Sequence, residues 1–177
     1  MIKNILILLA LLGVITGATY VTEKSSLINP PFTNIPLTNS ATKPIIMQDF
    51  DFIDLHGRTH TFYDYSGRTV IIHFWATWCA PCLAEFPDLV KLAQQNPDNL
   101  TLITIVVADE IPKIEKFMKT TKLNPPNNMV IGLDPQKHIS EKIFNTVKLP
   151  ESYIFTHSLH LKERIIGAYD RWLEYQL

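Results

Sequence analysis

The sequence predicts an α/β sandwich with a mixed central sheet. Two segments, residues 69–75 and 100–107, are almost continuously apolar and rich in β-branched or aromatic side chains, which is typical of strands buried on both faces. Each is followed by a segment with helical spacing of its apolar residues, 81–95 and 111–121. Strands that alternate with helices of this length usually pack as one sheet with helices on its faces. A chain of 177 residues is long enough for one such domain.

The first 21 residues predict an export signal. Lys3 precedes a strongly apolar run, residues 5–15, and the stretch that continues to Val21 is just long enough to cross a bilayer as a helix. The run therefore fits a cleaved signal peptide or an uncleaved anchor, and we favour the anchor. Residues 22–44 are rich in Pro, Asn, Thr and Ser, which suits an extended linker. The folded domain is accordingly expected to cover residues 45–177.

Shorter elements complete the predicted domain. Residues 48–54 and 59–63 flank a turn that contains Gly57, which predicts an early β-hairpin. Asp134 is expected to cap a third helix, because its carboxylate supplies an acceptor for free backbone amides. The remaining predicted elements are, in order, a strand at 129–133, the capped helix at 135–145, strands at 152–156 and 161–166 joined by a turn, and a last helical segment from about Tyr169.

Charge and cysteine content exclude several classes of function. The 16 basic and 17 acidic residues form no long run of one sign, so nothing indicates a nucleic-acid partner. The chain has two cysteines, Cys79 and Cys82, and a pair this close in sequence closes too short a loop to stabilise the fold much. The motif also supplies only half of a zinc site, and we expect no metal. A reversible thiol-disulfide pair is the remaining interpretation.

The pair lies where a predicted strand gives way to a predicted helix. Cys79 comes just before the helix, where free N–H groups and the positive end of the helix dipole favour a thiolate and should lower the pKa of its thiol. Cys79 is therefore the predicted nucleophile in disulfide exchange. Cys82, one turn further on and more enclosed, would attack the mixed disulfide that Cys79 forms with a substrate.

The residues around the pair resemble a known family. Phe-Trp-Ala-Thr-Trp-Cys-Ala-Pro-Cys, residues 74–82, resembles the thioredoxin superfamily, and residues 76–87 resemble its membrane-tethered, periplasm-facing reductase branch, which includes TlpA, ResA and CcmG. The resemblance covers most of the chain from about Ile45. It implies a thioredoxin-like three-layer sandwich, with the early hairpin as an N-terminal extension and the βα unit at 100–133 as an insertion.

The resemblance also implies a substrate-binding site. Residues 147–155 match the loop that carries a cis-proline in this family, with Pro150 at the cis position, and the backbone at Leu149 would pair with an extended substrate segment beside Cys79. An ordinary loop proline is the alternative. Together with Trp78, Ala80 and Pro81, these two residues form the predicted substrate-binding set.

Two titratable residues near the pair could move protons. Glu85 follows Cys82 by three residues, so both project from one helix face. In the resembled branch a glutamate here lies beneath the disulfide, and burial would raise its pKa so that it could exchange a proton with Cys82. Its alternative role is to complement the helix dipole from the first turn. His73 stands where thioredoxins have a buried aspartate; it is either a proton relay or a core histidine held by one hydrogen bond.

We therefore expect a membrane-anchored thiol:disulfide oxidoreductase that reduces disulfides of client proteins in the periplasm or another extracytoplasmic space, with apocytochrome c among the candidate clients. The exchange uses the cysteine pair and no separate cofactor. The resemblance implies a membrane-embedded thiol donor that reduces the pair again. The alternatives are a disulfide oxidant, a thiol peroxidase of the same superfamily, or a non-catalytic module that binds clients in a thioredoxin-like groove.

Overall fold

The computed structural model describes residues 47–177, so the predicted anchor (1–21) and linker (22–44) lie outside the described residues. The described chain forms one mixed sheet and two α-helices. The strands are β1 (Asp51–Asp54), β2 (Thr59–Thr61), β3 (Thr69–Trp75), β4 (Leu100–Val107), β5 (Met129–Asp134), β6 (Glu151–Phe155) and β7 (Leu161–Ile166), and the helices are α1 (Ala80–Gln95) and α2 (Ile111–Thr121). The spatial strand order is β2-β1-β5-β4-β3-β6-β7.

The centre of the sheet matches the prediction from apolar runs. All residues of β3, β4 and β6 are buried. β3 pairs in parallel with β4 and antiparallel with β6, and β4 pairs in parallel with β5. The early hairpin, β1 and β2, extends the sheet through an antiparallel contact between β1 and β5. The predicted α/β fold with a mixed sheet and an N-terminal hairpin is confirmed.

The sheet separates two apolar clusters and thereby forms the middle of three layers. On one face, α1 and α2 pack on a cluster that includes Trp75, Phe86 and Trp172. On the other face, a largely aromatic cluster includes Phe74 and lies under irregular segments rather than long helices. Those segments are a 3₁₀ turn at Phe62–Tyr65 and a π-helical turn at His138–Ile143. No helix within residues 47–177 has the length and hydropathy needed to cross a bilayer.

Two side chains lie so close to the backbone of Gly132 on this second face that the position requires glycine. Gly132 in β5 pairs with Ile105 of β4 and with Asp54 of β1. A Cβ atom at this position would lie 2.6 Å from a ring carbon of Phe52 and 2.7 Å from Cδ1 of Ile105. Both neighbours are buried, so neither has free space into which to move.

The third predicted helix, at 135–145, is wrong in length and type. Lys137 adopts a left-handed conformation, with φ of 58°, which prevents a helix from starting at 135. The structure instead has the six-residue π-helical turn. Asp134 nevertheless accepts hydrogen bonds from the backbone amides of Ile139 and Ser140, at 3.1 and 2.7 Å. Lys137, not Asp134, is the N-cap residue of this turn, so the predicted cap is wrong in position, although Asp134 supplies the predicted acceptor to amides further along the chain.

The last predicted helix, from Tyr169, is also wrong. The segment has only a 3₁₀ turn at Trp172–Glu174. The backbone amide of Tyr169 and the indole N–H of Trp172 both donate to the carboxylate of Glu85, each at 2.8 Å. These two contacts hold the segment against α1, and Arg171, with φ of −118° and ψ of 32°, lies outside the helical region, so no helix runs from Tyr169 through Trp172.

Candidate functional site

The two cysteines lie at the N-terminus of α1 and are joined by a disulfide, with their Cα atoms 5.3 Å apart. Cys79 is the N-cap residue, and its carbonyl accepts the first helical hydrogen bond, from Leu83. Cys79 retains 6% exposure, whereas Cys82 has none. After reduction, a thiolate at Cys79 would face the free amides of the helix start. Cys79 is thus the sulfur that a substrate can reach, and Cys82 is enclosed behind it.

Hydrogen bonds to Asp109 hold the turn before Cys79 in place, and sequence reasoning did not identify this aspartate. Asp109, just after β4, accepts hydrogen bonds from both the backbone N–H and the hydroxyl of Thr77, each at 2.6 Å. Burial alone would raise the pKa of Asp109, but these hydrogen bonds hold that pKa below its ordinary value. The sequence could have indicated this contact, because both strands were predicted from it. If β3 and β4 pair in parallel, a polar residue just after β4 lies close to the turn that follows β3.

Trp78 is the most exposed aromatic residue beside the disulfide. It retains 62% exposure, and its indole N–H donates weakly to the carbonyl of Ala108, at 3.4 Å. Trp78 lines a small cavity of about 190 Å³ together with Val147 and Leu149. Trp78 and Leu149, two members of the predicted substrate-binding set, therefore lie on one surface.

The other predicted substrate-binding residues lie in the loop before β6 and in the first turn of α1. The peptide bond between Leu149 and Pro150 is cis, as the resemblance implied. Pro150 is buried, while Ala80 and Pro81 are exposed in the first turn of α1. The positions of the five residues do not conflict with a client groove beside Cys79. Their role in binding stays a prediction.

A buried glutamate fixes the loop that carries Pro150, and sequence reasoning did not identify it. Glu151 is fully buried and accepts hydrogen bonds from the backbone N–H of Val147, at 2.9 Å, and from the hydroxyl of Tyr153, at 2.7 Å. The guanidinium of Arg164 on β7 also donates to this carboxylate. These three donors, from the loop and from two strands, explain how a charged residue can follow the proline inside the core.

Glu85 is the acidic group next to the pair on α1. It retains 7% exposure, and burial raises the pKa of its carboxyl while the hydrogen bonds from Tyr169 and Trp172 act in the opposite direction. The direction agrees with the prediction. Glu85 is the sixth residue of α1, beyond the first turn, so the alternative role as a first-turn partner of the helix dipole is wrong.

His73 lies in the middle of β3 and is fully buried. Its Nδ1 atom is 2.9 Å from the hydroxyl oxygen of Ser152, which is its register partner on β6. Its Nε2 atom is 3.9 Å from Oε1 of Glu85. Burial lowers the pKa of His73 to about 3, so the imidazole is neutral at physiological pH. One hydrogen bond holds the ring, and its second nitrogen faces the glutamate.

The early hairpin contains two histidines, His56 and His60. Within residues 47–177, no group of three or more His, Cys, Asp or Glu side chains is arranged to hold a metal ion. His56 and His60 have a spacing found in zinc sites. However, His60 lies between a carboxylate oxygen of Asp54, at 3.0 Å, and the hydroxyl of Tyr65, at 2.7 Å, and therefore belongs to a local hydrogen-bond network.

Comparison with known proteins agrees with this site. The family model described as Redoxin matches residues 40–156. The thiol-disulfide oxidoreductase ResA of Geobacillus thermodenitrificans is 29% identical over 165 residues, which cover 93% of this chain and 84% of that protein. The thioredoxin-like protein YneN of Bacillus subtilis is 37% identical over 123 residues, covering 68% of this chain and 69% of that one.

A solved structure extends the similarity to the fold. The crystal structure of StoA from Bacillus subtilis matches with a TM-score of 0.57 and 25% identity. The match covers 71% of this chain and 92% of the StoA chain. Family model, relatives and solved structure thus agree on the domain that holds Cys79 and Cys82.

Proposed function

This chain belongs to the Redoxin family and is a thiol-disulfide oxidoreductase of the thioredoxin superfamily, and we propose that it acts as a reductase of protein disulfides outside the cytoplasm. The observation that carries the proposal is the placement of the pair, with a reachable Cys79 at the helix N-terminus and an enclosed Cys82 one turn later. The exchange needs no external cofactor, because the two sulfurs themselves carry the electron pair.

The reaction begins with the reduced pair. The thiolate of Cys79 attacks one sulfur of a client disulfide, so that a mixed disulfide forms and the other client sulfur leaves as a thiolate that takes up a proton. Cys82 then loses its proton and attacks the Cys79 sulfur. The mixed disulfide breaks, the second client sulfur leaves, and the Cys79–Cys82 disulfide forms. The client gains two electrons and the enzyme loses two.

Glu85 is the proposed acceptor of the Cys82 proton. It lies three residues after Cys82 on the same helix face, and its raised pKa brings its carboxyl closer to the range in which it both takes and returns a proton. The proposed client groove consists of Trp78, Ala80, Pro81, Leu149 and Pro150. In it the backbone at Leu149 pairs with the extended client segment beside Cys79.

One feature supports the reducing direction. Ala80 and Pro81 between the cysteines resemble the reductant side of the superfamily, which has proline in the second intervening position.

The direction is tested by the reduction potential of the pair. We expect a value near that of thioredoxin, about −270 mV, rather than about −120 mV, which is typical of a strong disulfide oxidant. Each 30 mV corresponds to about 1.4 kcal/mol for this two-electron couple. A potential near the oxidant value would contradict the reductase proposal and leave the exchange chemistry intact.

Turnover and clients are tested with two cysteine variants. Wild type should reduce insulin with a dithiol as donor, and Cys79→Ser should abolish this activity; equal activity in the variant would rule out catalysis by the pair. Cys82→Ala should retain the mixed disulfide on Cys79, so that clients can be isolated and identified. Apocytochrome c, with its paired haem-binding cysteines, is the first client class to test in this way. A Cys79→Ser, Cys82→Ala double variant is the control for binding that does not depend on a thiol.

We further propose that residues 1–21 anchor the domain to a membrane, that residues 22–44 hold it away from the surface, and that a membrane-embedded thiol donor reduces the pair. The apolar run after Lys3 supports the anchor. The alignment with ResA, over 165 residues, is also longer than the 133 residues from 45 to 177. Cell fractionation and protease access should place the full chain in the membrane with its domain outside. A chain lacking 1–21 that stays in the membrane, or a full chain in the cytosol, would contradict this placement.

A further inference from the structure

Two buried polar atoms face each other between β3 and α1 without a hydrogen-bond partner. They are Nε2 of His73 and Oε1 of Glu85, 3.9 Å apart, and within the described part of the chain neither forms a hydrogen bond. Buried polar atoms without a partner are rare because they forgo the hydrogen bonds they would make in water. The gap exceeds a hydrogen bond by about 1 Å. A small side-chain rotation would therefore join the two atoms to each other.

The other polar atoms of both side chains are already engaged. Oε2 of Glu85 accepts from the amide of Tyr169 and from the indole of Trp172, both at 2.8 Å. These two donors occupy the acceptor positions of Oε2, so a proton on the carboxyl belongs on Oε1. On the histidine, Nδ1 lies 2.9 Å from the hydroxyl oxygen of Ser152. Ser152 is 2% exposed, which excludes a role as a nucleophile toward substrates.

We propose that His73 is a positioning residue that hydrogen-bonds to Glu85 in both charge states of the carboxyl by changing which ring nitrogen carries the proton. When Glu85 is ionised, Nε2–H donates to Oε1, and Nδ1 accepts from the hydroxyl of Ser152. When Glu85 is protonated, Oε1–H donates to Nε2, and Nδ1–H donates to the same hydroxyl. Ser152 serves both arrangements because a hydroxyl both donates and accepts.

The functional consequence rests on the proposed role of Glu85. When Cys82 passes its proton to Glu85, the S–H and Nε2–H bonds break and the Oε1–H and Nδ1–H bonds form, so the imidazole has one proton before and after. No charge appears on His73, in agreement with the low pKa that burial gives it. Among the described residues, Cys82 lies on the same face of α1 as Glu85, and Tyr169 on the C-terminal segment contacts Glu85 through its backbone amide. Because each charge state keeps its hydrogen bonds, neither is penalised by an unsatisfied atom.

The tautomer of His73 can be measured directly. In the full chain, oxidised and labelled with ¹⁵N-histidine, nitrogen chemical shifts report which ring nitrogen carries the proton at each pH. The His73 signals are assigned by their loss in His73→Gln or, if that variant does not fold, by replacing the other histidines one at a time. We expect Nδ1–H to give way to Nε2–H as Glu85 ionises, with a midpoint that matches loss of the carboxylic-acid infrared band. A single tautomer throughout that titration would overturn the proposal.

Three variants sharpen the test. In Glu85→Gln, His73 should carry its proton on Nδ1 at every pH. The amide oxygen of Gln accepts from Tyr169 and Trp172, and its NH₂ group donates to Nε2. A change of tautomer with pH in this variant would contradict the proposal.

Ser152→Ala removes the partner of Nδ1 in both arrangements: the acceptor of Nδ1–H in one and the donor to Nδ1 in the other. A buried N–H without an acceptor is rarer in proteins than an acceptor without a donor, so the arrangement with ionised Glu85 should be favoured and the midpoint should fall. Thr104→Val is the matched control, because the hydroxyl it removes is buried beside His73 in the sheet but directed to Val130.

The pH profile of disulfide exchange separates this inference from the proposed proton role of Glu85. If both hold, Ser152→Ala moves the acidic limb of the profile to lower pH by the same interval as the tautomer midpoint, and Thr104→Val leaves it in place. If the tautomer switches but the profile does not respond to Glu85→Gln, the role of Glu85 as proton acceptor fails and the pairing with His73 stands. A midpoint that rises in Ser152→Ala, or a single tautomer throughout the titration of wild type, refutes the pairing itself.

Discussion

Replacing Glu85 by Gln should change how the stability of the oxidised protein depends on pH. The side chain is nearly fully buried, and burial raises the pKa of its carboxyl. Gln has the same shape, and its amide oxygen can accept the N–H groups of Tyr169 and Trp172 that the carboxylate now binds. The substitution therefore removes a titrating group and keeps its contacts.

The sign follows from the raised pKa. Below the ordinary value of 4.5, the folded and the unfolded chain both carry the proton, and Glu85 adds no pH dependence. Between that value and the higher pKa of the folded state, the unfolded chain has lost the proton that the folded chain retains. The free energy of unfolding of wild type then falls as pH rises, by about 1.4 kcal/mol per pH unit. Above the folded-state pKa this loss stops, and in Glu85→Gln it does not occur.

Urea unfolding of both proteins between about pH 4 and pH 8, followed by tryptophan fluorescence, measures the effect. The free energy of unfolding of Glu85→Gln minus that of wild type should rise from pH 4.5 and then level off. Glu115→Gln, at an exposed position of α2, is the control, and its difference from wild type should stay within about 0.5 kcal/mol. A difference for Glu85→Gln that is independent of pH, or that falls as pH rises, would refute the reasoning.

Two further substitutions test the packing around the site, each by urea unfolding at neutral pH. Gly132→Ala should destabilise the protein by about 1–3 kcal/mol, because the new methyl group would meet the ring of Phe52 at 2.6 Å; a change below 0.5 kcal/mol would show that the ring moves aside. Arg164→Ala should cost about 3 kcal/mol, because it leaves the fully buried carboxylate of Glu151 without its cation. Arg171→Ala, at an exposed position, is the control, and an equal loss in both variants would contradict a specific role of the ion pair.

The parts of the fold that follow from local pattern were predictable from the sequence. β3 and β4 are continuous runs of apolar residues, and α1 has helical periodicity that ends at Asn96. The two wrong elements lack such a signal, because their conformations depend on distant partners or on a single residue. Lys137 in a left-handed conformation prevents the helix predicted at 135, and no periodicity reveals such a residue.

The residues of the candidate site also fall into a group that the sequence predicts and a group that it does not. Cys79, Cys82 and Pro150 could be identified because short motifs define their spacing and their neighbours. The groups that hold them in place come from far along the chain: Asp109 is 32 residues from Thr77, and Trp172 is 87 residues from Glu85. Contacts of this kind depend on strand order and on the path of the C-terminal segment, which a single sequence does not specify.

The hydrogen bond between the indole of Trp172 and the carboxylate of Glu85 gives the protein an internal optical probe. The indole N–H lies 2.8 Å from a group whose charge changes with its proton, and the ring is 1% exposed, so solvent does not average the local field. Absorption and emission of this chromophore should therefore respond to ionisation of Glu85 without any added label. Trp172→Phe would remove the response, whereas Trp78, with 62% exposure, would report contact with clients at the surface.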